Sequence, residues 1–394
     1  MLRRIIPAAL VVFATSCTIG DPAVDDGDDG PGGPDDIGVQ PFAEDPANLN
    51  IGFNDGSADE FNYYDDFFQS GIHNGPRLCH TYVAWNIADQ APHNGSVTDP
   101  ATRAYLDDWL AKAQGHCDEA LISFKAPGHG NPPANATYAA AFEKFAATSW
   151  ATETGFTGSF AFTPWNEPNN EADAGTGLGV AIDARVAARY YLAAERSCRK
   201  HGCKVAAGDF ASNGDMWDAF EWNCANDNVA PSELCKSRSS ANSGTQPASY
   251  LDRYKNEIVN SASDFGLPGG FRPEYFAYHG WHDANRFLDA GDHCSTYASC
   301  ALRRILRSLG GSWADAQIWD TEDGAGQTES PDDHDQACTA AFMVRLQAIT
   351  SRVRRLYVTR LHGGGGQLIR DGHVARPALG IFANRRTTYD GTCQ

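Results

Sequence analysis

A glutamate directly preceded by an asparagine lies in the segment Trp165-Asn166-Glu167-Pro168. The apolar run before it, residues 158–162, is typical of a buried strand, so the Glu167 carboxyl is expected at a strand end. Flanking apolar rings favour the protonated form of such a carboxyl, which can then act as an acid near neutral pH. Asn166 can hydrogen-bond a substrate hydroxyl, and the Trp165 ring can pack on a sugar face. The segment therefore predicts a carbohydrate site, against the simpler interpretation of a solvated glutamate at a strand-to-loop junction.

This Trp-Asn-Glu-Pro segment resembles the acid/base segment of the retaining glycoside hydrolases of clan A, which are (β/α)8 barrels. The resemblance implies that Glu167 is the acid/base at the end of the fourth strand and that Asn166 contacts the sugar 2-hydroxyl. It also implies a second glutamate, the nucleophile, at the end of the seventh strand. A matching segment must therefore lie well downstream.

Residues 316–324, Ala-Gln-Ile-Trp-Asp-Thr-Glu-Asp-Gly, resemble the seventh-strand segment of the clan, an aromatic strand that ends in Thr-Glu-x-Gly. Glu322 takes the place of the nucleophile. Retaining hydrolysis needs two carboxyl groups about 5–5.5 Å apart, one neutral and one ionised. Because the C-terminal ends of strands four and seven face the same mouth of a barrel, the two matches reinforce each other.

The expected sixth strand lies within residues 275–282, Tyr-Phe-Ala-Tyr-His-Gly-Trp-His. Clan members often have His-x-Tyr at this point, with the aromatic ring near the nucleophile, whereas this chain has His279-Gly280-Trp281. An indole thus stands where a phenol is usual, and Tyr278 is a candidate to supply the hydrogen bond to the nucleophile. Trp281 is expected to contact the substrate, and His279 is either a substrate-binding or a structural residue.

Residues 80–86, His-Thr-Tyr-Val-Ala-Trp-Asn, resemble the second-strand segment Arg-x-x-Val-x-Trp of the clan. His80 stands where an arginine normally helps to hold the nucleophile ionised, which leaves that role open unless Arg77 reaches the site. His80 and Trp85 are expected to contact the substrate. Residues 366–372 and 376–378 resemble the last βα loop and helix, so the resemblance covers about residues 49–382 without assigning a family within the clan.

Eight strand-like runs alternate with helical periodicity, the pattern of a barrel or of a doubly wound sheet. A dinucleotide-binding doubly wound fold would need Gly-x-Gly-x-x-Gly after the first strand, and that motif is absent. We therefore expect one α/β domain, a (β/α)8 TIM barrel over residues 46–394. The interval between strands five and six, residues 211–270, is expected to be a long loop over the active face that carries Trp217 and Trp222. The strands are expected to begin near Leu49, Leu78, Ala120, Ser159, Lys204, Glu274, Gln317 and Arg355.

The first 17 residues are typical of a secretory signal peptide. Two arginines precede an apolar stretch, residues 5–14, and a Thr-Ser-Cys sequence that ends at Cys17 resembles a bacterial lipobox. Cys17 would then carry lipid at the mature N-terminus; the alternative is an ordinary export signal with an incidental cysteine. Residues 18–45 form an Asp-, Gly- and Pro-rich tether, whose composition favours an extended, solvated spacer over a calcium site.

The 394-residue chain has a formal net charge of −19, and seven Asp residues between positions 21 and 36 contribute to it. With no basic stripe to displace counterions, the sequence argues against nucleic-acid binding. Eleven cysteines less Cys17 leave ten, an even number without paired Cys-x-x-Cys metal spacing, which favours structural disulfides in an exported protein. Three pairs are close in sequence, one pair would lie at the barrel bottom, and the last pair follows by elimination. The expected disulfides are Cys198–Cys203, Cys224–Cys235, Cys294–Cys300, Cys79–Cys117 and Cys338–Cys393.

The sequence thus predicts an exported retaining glycoside hydrolase, secreted or lipid-anchored at the bacterial cell envelope, that cleaves a β-linked glycoside or polysaccharide. The expected partner is an oligo- or polysaccharide, the expected state is a monomer, and no metal or cofactor is implied. Membrane contact is expected only through lipid on Cys17. The alternative is a carbohydrate-binding surface lipoprotein on a catalytically decayed barrel, supported by the changes at His80 and Trp281. An esterase would need a Gly-x-Ser-x-Gly elbow, which the sequence lacks.

Overall fold

A computed structural model describes most of the chain from residue 46 onward. The described residues are 46–54, 57–68, 75–127, 132–170, 181–212, 234–235, 249–291, 293–294, 300–324, 331–362, 367–390 and 393. The expected signal peptide and tether, together with Trp217, Trp222 and Cys224, lie outside these ranges.

Eight parallel strands close into a barrel in which each strand pairs with its neighbours in chain order and the eighth pairs with the first. The fold expected from the sequence is therefore confirmed, and every strand begins within two residues of its expected start. The strands are β1 (Asn50–Asn54), β2 (Leu78–Ala84), β3 (Glu119–Lys125), β4 (Ser159–Thr163), β5 (Lys204–Ala211), β6 (Tyr275–His279), β7 (Gln317–Asp323) and β8 (Val353–Val358).

Helices follow the strands and cover the outside of the barrel. They are α1 (Tyr64–Phe68), α2 (Arg103–Ala113), α3 (Asn135–Ala147), α4 (Trp150–Thr154), α5 (Ala184–His201), α6 (Tyr250–Ser261), α7 (Trp281–Ala290), α8 (Ala301–Ser308), α9 (Asp333–Gln347) and α10 (Pro377–Asn384). Single 3-10 turns occur at Pro46–Asn48, Ala58–Tyr63, Ile87–Asp89, Ala262–Phe265 and Gly311–Trp313. Two short antiparallel ladders join Ala181–Ile182 to Leu234–Cys235 and Ile369–Arg370 to Val374–Ala375. Within the described residues, no helix combines the length and the apolar character needed to cross a bilayer.

Helix α6 shortens the loop that was expected between strands five and six. It occupies Tyr250–Ser261 near the end of the interval, with Leu251, Tyr254 and Ile258 buried, whereas most of residues 213–248 lie outside the described ranges. These side chains recur at the spacing of one helix face, a signal that the polar sequence around them obscured. The last part of the interval is therefore helical and leads into strand β6.

The lower half of the barrel interior is filled by one layer of side chains. Three neighbouring strands contribute only alanines, Ala161, Ala206 and Ala277, and the large rings of Trp319 and Tyr357 occupy the space that they leave. Such pairing of small with large residues closes the interior to solvent, as expected of a packed barrel core. The open end for a ligand is therefore the opposite one, where the strands end.

An ion cluster closes the floor of the barrel. The Glu119 carboxylate is buried and pairs with the Arg355 guanidinium and, at 2.6 Å, with Lys204 Nζ. The guanidinium of Arg355 also lies 3.8 Å from the centre of the Trp319 ring. The cluster thus neutralises a buried charge on the face away from the strand ends.

Four of the five expected disulfides are present, Cys79–Cys117, Cys198–Cys203, Cys294–Cys300 and Cys338–Cys393. The first joins the start of β2 to the segment before β3 at the barrel bottom. The fifth, Cys224–Cys235, stays a prediction because Cys224 lies outside the described residues.

Replacing Arg355 by methionine should destabilise the fold strongly, because it removes one of the two cations that pair with the buried Glu119 carboxylate. We expect Arg355→Met to lower the free energy of unfolding by about 3 kcal/mol, the lower end for a broken buried pair, since Lys204 remains. Urea unfolding at neutral pH measures this. The neighbouring Arg354 is partly exposed on the same strand, so Arg354→Met is the matched control. Equal small losses in both variants would show that the floor cluster adds little.

Candidate active site

The turn after β4 fixes Glu167 through its backbone. Its N–H donates to the carbonyl of Asp209 at the end of β5 at 2.9 Å, and the N–H of Asn166 donates to the carbonyl of Phe124 in β3 at 2.7 Å. Glu167 also has φ 43°, a conformation that non-glycine residues adopt at a cost and keep where the surroundings enforce it. The chain therefore holds this carboxyl in one direction at the mouth of the barrel.

A bulge near the end of β7 presents Glu322. The pairing of β6 with β7 shifts between Tyr278 and His279, so that His279 lies opposite Glu322. Such a bulge breaks the alternation of a strand and re-aims the side chains beside it. The Glu322 carboxylate then accepts a hydrogen bond from the Tyr82 hydroxyl at 2.5 Å, and Tyr82 accepts one from Asn54 at 2.6 Å.

His279 lies between the two glutamates. Its Nδ1 is 2.7 Å from Glu167 Oε1 and 3.4 Å from Glu322 Oε2, and its Nε2 is 3.3 Å from a carboxylate oxygen of Asp209. The ring is 1 % exposed and Asp209 is 0 % exposed. One imidazole thus faces three carboxylates inside the protein.

The charges of this group set the protonation of each member. Burial by itself lowers the pKa of His279, but the charges of Glu322, Asp209 and Glu167 together raise it well above its ordinary value. Burial by itself raises the pKa of Asp209, yet His279 and the hydrogen-bonding hydroxyls around it hold that pKa below its ordinary value. The ring is therefore an imidazolium and Asp209 an ionised carboxylate at neutral pH.

The pKa values of the two glutamates are shifted in opposite directions. Burial by itself raises the pKa of Glu167, but the charge of His279 and hydrogen bonds from His279 and Asn170 hold it below its ordinary value. Burial raises the pKa of Glu322, and the charge of Glu167 raises it further. The charge of His279 and the hydrogen bond from Tyr82 lower it, and the net shift is upward. The expectation of a raised pKa for Glu167 is therefore wrong for this arrangement, because a cation lies against that carboxyl.

A cavity of about 470 Å3 opens over both glutamates at the C-terminal ends of the strands. Besides His279 Nε2, which faces Asp209, two buried polar atoms of its lining residues, Asn166 Oδ1 and Trp281 Nε1, have no hydrogen-bond partner within the described part of the chain. Buried polar atoms in proteins are nearly always paired, so both suit a ligand rich in hydroxyl groups. The cavity is lined by Tyr82, Lys125, Asn166, Glu167, Asn170, Ala211, Ser212, His279, Trp281, His282, Asn285 and Glu322.

Comparison with models of protein families finds no match, and comparison with curated proteins finds none. Solved structures do resemble the chain. A GH39 β-xylosidase from Caulobacter crescentus is 11% identical, with 86% of this chain and 71% of that chain covered and a TM-score of 0.52. The protein ZgEngAGH5_4, solved in complex with a cellotriose, is 13% identical over 87% and 97% of the two chains, with a TM-score of 0.50. A GH128 endo-β-1,3-glucanase from Sorangium cellulosum is 13% identical over 86% and 98%, with a TM-score of 0.46.

The first two likenesses show the fold. GH39 and GH5 are families of clan A, so the barrel that the resemblance implied is the one observed. At these identities the likeness says nothing of the individual site residues, which depend on the geometry described above.

Five of the residues singled out in the sequence meet at the cavity, namely Asn166, Glu167, His279, Trp281 and Glu322. Two tryptophans do not. Trp165 is 1 % exposed and packs against Tyr190 of helix α5, so its ring faces the core and offers no surface to a sugar. Trp85 is partly buried against the core and is absent from the cavity wall.

The three residues that the sequence offered as contacts for Glu322, namely Tyr278, His80 and Arg77, do not reach its carboxylate. Tyr278 is buried on the outer side of β6, where its hydroxyl meets the Gln347 side chain. His80 bonds Ser123 and the Thr321 carbonyl, and burial lowers its pKa to about 3, so the ring is neutral. Arg77 pairs with Asp118 at the start of the barrel, far along the strand from Glu322. Tyr82 and His279 are the residues that reach the Glu322 carboxylate instead.

Sequence reasoning missed Tyr82 and Asp209. Tyr82 lies within the second-strand segment, two residues from His80, and strand alternation places both side chains on the inner face. Asp209 interrupts an otherwise apolar strand, residues 205–211. An acidic residue inside such a run was the signal that could have identified it, because buried carboxylates are rare without a partner.

A second pair of carboxyls lies directly behind Glu322. Asp320 and Asp323 are fully buried and hydrogen-bonded to each other, and burial raises the pKa of Asp323 to about 7. Gly280 makes room for them, since a Cβ there would lie 2.3 Å from Asp320 and 2.4 Å from Asp323. The pair therefore holds a shared proton at the back of the bulge.

Asp323→Asn should make the fold less sensitive to pH. The folded chain holds the Asp323 proton more tightly than the unfolded chain, so this group loses stability as pH rises from about 4 to about 7, at up to about 1.4 kcal/mol per pH unit. An asparagine keeps the geometry, because its oxygen can accept from Gly324 N–H and its amide can donate to Asp320. We expect the variant to gain stability relative to wild type across that interval.

Urea unfolding between pH 4.5 and 8 measures the difference between variant and wild type. Asp264→Asn, at an exposed position, is the control and should give a difference independent of pH. A constant or falling difference for Asp323→Asn would show that the pair does not hold a proton.

Proposed function

We propose that the chain is an exported retaining glycoside hydrolase that cleaves a β-linked glycoside or polysaccharide. The observation that carries this proposal is the convergence of Glu167 and Glu322 on one imidazole at the floor of a cavity. A protein that only binds sugar has no need of two buried, converging carboxyls. The two barrels of similar fold, a β-xylosidase and a protein holding a cellotriose, agree with a β-linked substrate.

The separation of the glutamates favours retention over inversion. Both have an oxygen close to His279 Nδ1, at 2.7 and 3.4 Å, so these oxygens are no farther apart than the sum of the two distances. Carboxyl groups whose oxygens meet at one nitrogen suit the separation of about 5–5.5 Å in retaining enzymes better than the about 6.5–9.5 Å that leaves room for a water in inverting enzymes. A direct attack by one carboxylate on the sugar fits this spacing better.

The reaction then has two steps. Glu167 gives its proton to the glycosidic oxygen while Glu322 attacks the anomeric carbon, which releases the leaving group and forms a glycosyl ester on Glu322. In the second step Glu167, now a carboxylate, takes a proton from water, and that water displaces Glu322 from the sugar. Each glutamate ends the cycle in its starting state.

The charges of this structure match the second step. The pKa of Glu167 is held below its ordinary value and that of Glu322 is raised above it, an order that suits a carboxylate at Glu167 and an ester at Glu322. The first step needs the proton on Glu167 and the charge on Glu322. His279 Nδ1 lies 3.4 Å from Glu322 Oε2, and a nearby cation favours the charged form of that carboxyl in the first step.

Three groups in the cavity suit a neutral sugar. Trp281 follows the end of β6 and presents an indole at the wall, with its Nε1 free to donate among the described contacts. Asn166 offers an unpaired oxygen to a hydroxyl, and Asn170 donates to Glu167 Oε2 at 2.9 Å. Stacking on a ring together with a few placed hydrogen bonds is how proteins bind uncharged sugars.

Export and a lipid anchor on Cys17 belong to the same proposal. The four disulfides support an oxidising compartment.

The alternative function, a carbohydrate-binding protein on a catalytically decayed barrel, was supported by the absence of an arginine at position 80. That support is weakened, because Tyr82 and His279 make the contacts to Glu322 that an arginine would make.

Replacing each glutamate by glutamine should separate their roles. Glu322→Gln should lower kcat by about 10⁴-fold or more on every substrate, because the nucleophile is lost. Glu167→Gln should lower kcat by about 10²–10⁴-fold on a polysaccharide. The loss should be much smaller on a dinitrophenyl glycoside, whose leaving group departs without a proton. The measurement is kcat on both substrate types, with Glu195→Gln, on helix α5 and paired with Arg199, as the remote control.

A 2-deoxy-2-fluoro glycoside with a good leaving group should trap the ester, and peptide mass mapping should find the sugar on Glu322. Sugar on Glu167 would show that the two roles are exchanged. Full activity of both glutamine variants would contradict the two-glutamate mechanism, and a wild-type protein that cleaves no glycoside would contradict the hydrolase itself.

Trp281→Ala should lower kcat/KM by about tenfold or more on short and long substrates alike, since it removes a ring contact worth about 1.4 kcal/mol. Trp281→Phe keeps a ring and should lose less. Trp217, outside the described residues, should matter only for long substrates if it forms an outer subsite. Kinetics on a short aryl glycoside and on a polysaccharide distinguish these cases; an unchanged kcat/KM in Trp281→Ala would exclude Trp281 from binding.

A further inference from the structure

Asp209 is a fully buried carboxylate that the two-glutamate reaction does not use. One oxygen accepts hydrogen bonds from the hydroxyls of Ser123 at 3.0 Å and Thr163 at 2.6 Å. The other accepts one from the hydroxyl of Thr321 at 2.6 Å and lies 3.3 Å from His279 Nε2. Removing a carboxylate from water is expensive unless it is paired. His279 is its charged partner among the described residues.

The backbone around Asp209 is distorted in a way that places this side chain inside. Gly208 has φ 102° and Asp209 has φ 72°, and the pairing of β5 with β6 shifts between Gly208 and Phe210. A Cβ at position 208 would lie 2.5 Å from the carbonyl oxygen of Ala277, so only glycine fits. Strained conformations of this kind persist where the surroundings enforce them and cluster at functional sites.

Asp209 also connects both glutamates. Its carbonyl accepts the N–H of Glu167, and its carboxylate accepts the hydroxyl of Thr321, the residue before Glu322. Its remaining contact is with the nitrogen of His279 that points away from the glutamates. A negative charge at this point favours a proton on Nε2, the nitrogen that faces Asp209.

We propose that Asp209 is a positioning residue that keeps His279 a cation between Glu167 and Glu322. His279 would then replace the arginine that strand β2 supplies in the enzymes this chain resembles. The proposal rests on the proposed function for its kinetic consequence and on geometry alone for its structural one. Removing the charge of Asp209 should let His279 lose its proton in the range of ordinary histidines. Glu322 would then lose the neighbouring cation that favours its ionised form.

The groups that face His279 come from several strands and remain in an Asp209 variant. Among the described residues they are His80 and Tyr82 from β2, Glu167 after β4, and Asp320, Glu322 and Asp323 from β7. Because these groups stay the same, a changed titration of His279 reports on Asp209.

Asp209→Asn is the variant of choice. Asparagine tolerates a positive φ better than most residues, its oxygen can accept from Thr321, and its amide can donate to the hydroxyls of Ser123 and Thr163. The fold should therefore be kept, which circular dichroism and thermal unfolding verify. Thr163→Val is the matched control, since it removes one hydrogen bond to Asp209 and leaves the charge in place.

The first measurement is the titration of His279 by NMR on protein with 13C-labelled histidine, the resonance being assigned by its absence in His279→Gln. In wild type and in Thr163→Val the ring should stay protonated above the pH range in which ordinary histidines titrate. In Asp209→Asn the midpoint should fall by about one to three pH units. A wild-type midpoint below pH 7, or the same midpoint in Asp209→Asn, would overturn the proposal.

The second measurement is the pH profile of kcat/KM. The alkaline limb of Asp209→Asn should move to lower pH with the His279 midpoint, whereas a purely structural role would lower activity at all pH values alike. In a His279→Gln background, Asp209→Asn should have little further effect, because coupled residues are not additive; full additivity would overturn the proposal. If wild type cleaves no glycoside, the proposed function fails, and the NMR titration still decides whether Asp209 holds the charge of His279.

Discussion

The charges at the mouth of this barrel depend on one buried contact, that of the His279 imidazole with the carboxylates around it. Three carboxylates, Glu167, Asp209 and Glu322, meet one imidazole, and a charge in such surroundings is stable only with a partner of opposite sign. His279 is the cation that contacts all three, and it shifts them differently: the pKa values of Glu167 and Asp209 are held below their ordinary values, whereas that of Glu322 is raised.

Irregular backbone geometry brings these three acids together. Regular strands send successive side chains to opposite faces, yet Asp209 and Glu322 lie beside bulges, and Glu167 sits in a turn with positive φ. Each irregularity brings an acid into the mouth at a point that an ideal strand would not. The opposite end of the barrel is filled by leucines, alanines and two large rings, and the buried acid Glu119 there has two cations. Stability and chemistry are thus placed at different ends of the same strands.

This division explains what the sequence could predict. Strands buried on both faces read as apolar runs, so all eight were located from the sequence, and the two glutamates followed from their segments at strand ends. Trp165 was misplaced because the turn after β4 directs its ring to Tyr190, and no periodicity applies within a turn. Tyr82 and Asp209 were missed because their roles depend on partners from other strands. Such contacts are set by barrel closure and by bulges, neither of which leaves a local pattern.

The replacement of an arginine by neutral His80 changes the character of the site as well as its composition. An arginine remains charged at any pH a protein meets and would hold Glu322 ionised throughout. Here the cation is an imidazole, whose charge exists because three acids surround it and whose Nδ1 reaches both glutamates. Tyr82, a neutral donor, also contacts Glu322 and adds no charge of its own. In place of a fixed cation, the site therefore has an imidazole whose charge depends on the acids around it and whose Nδ1 contacts both glutamates.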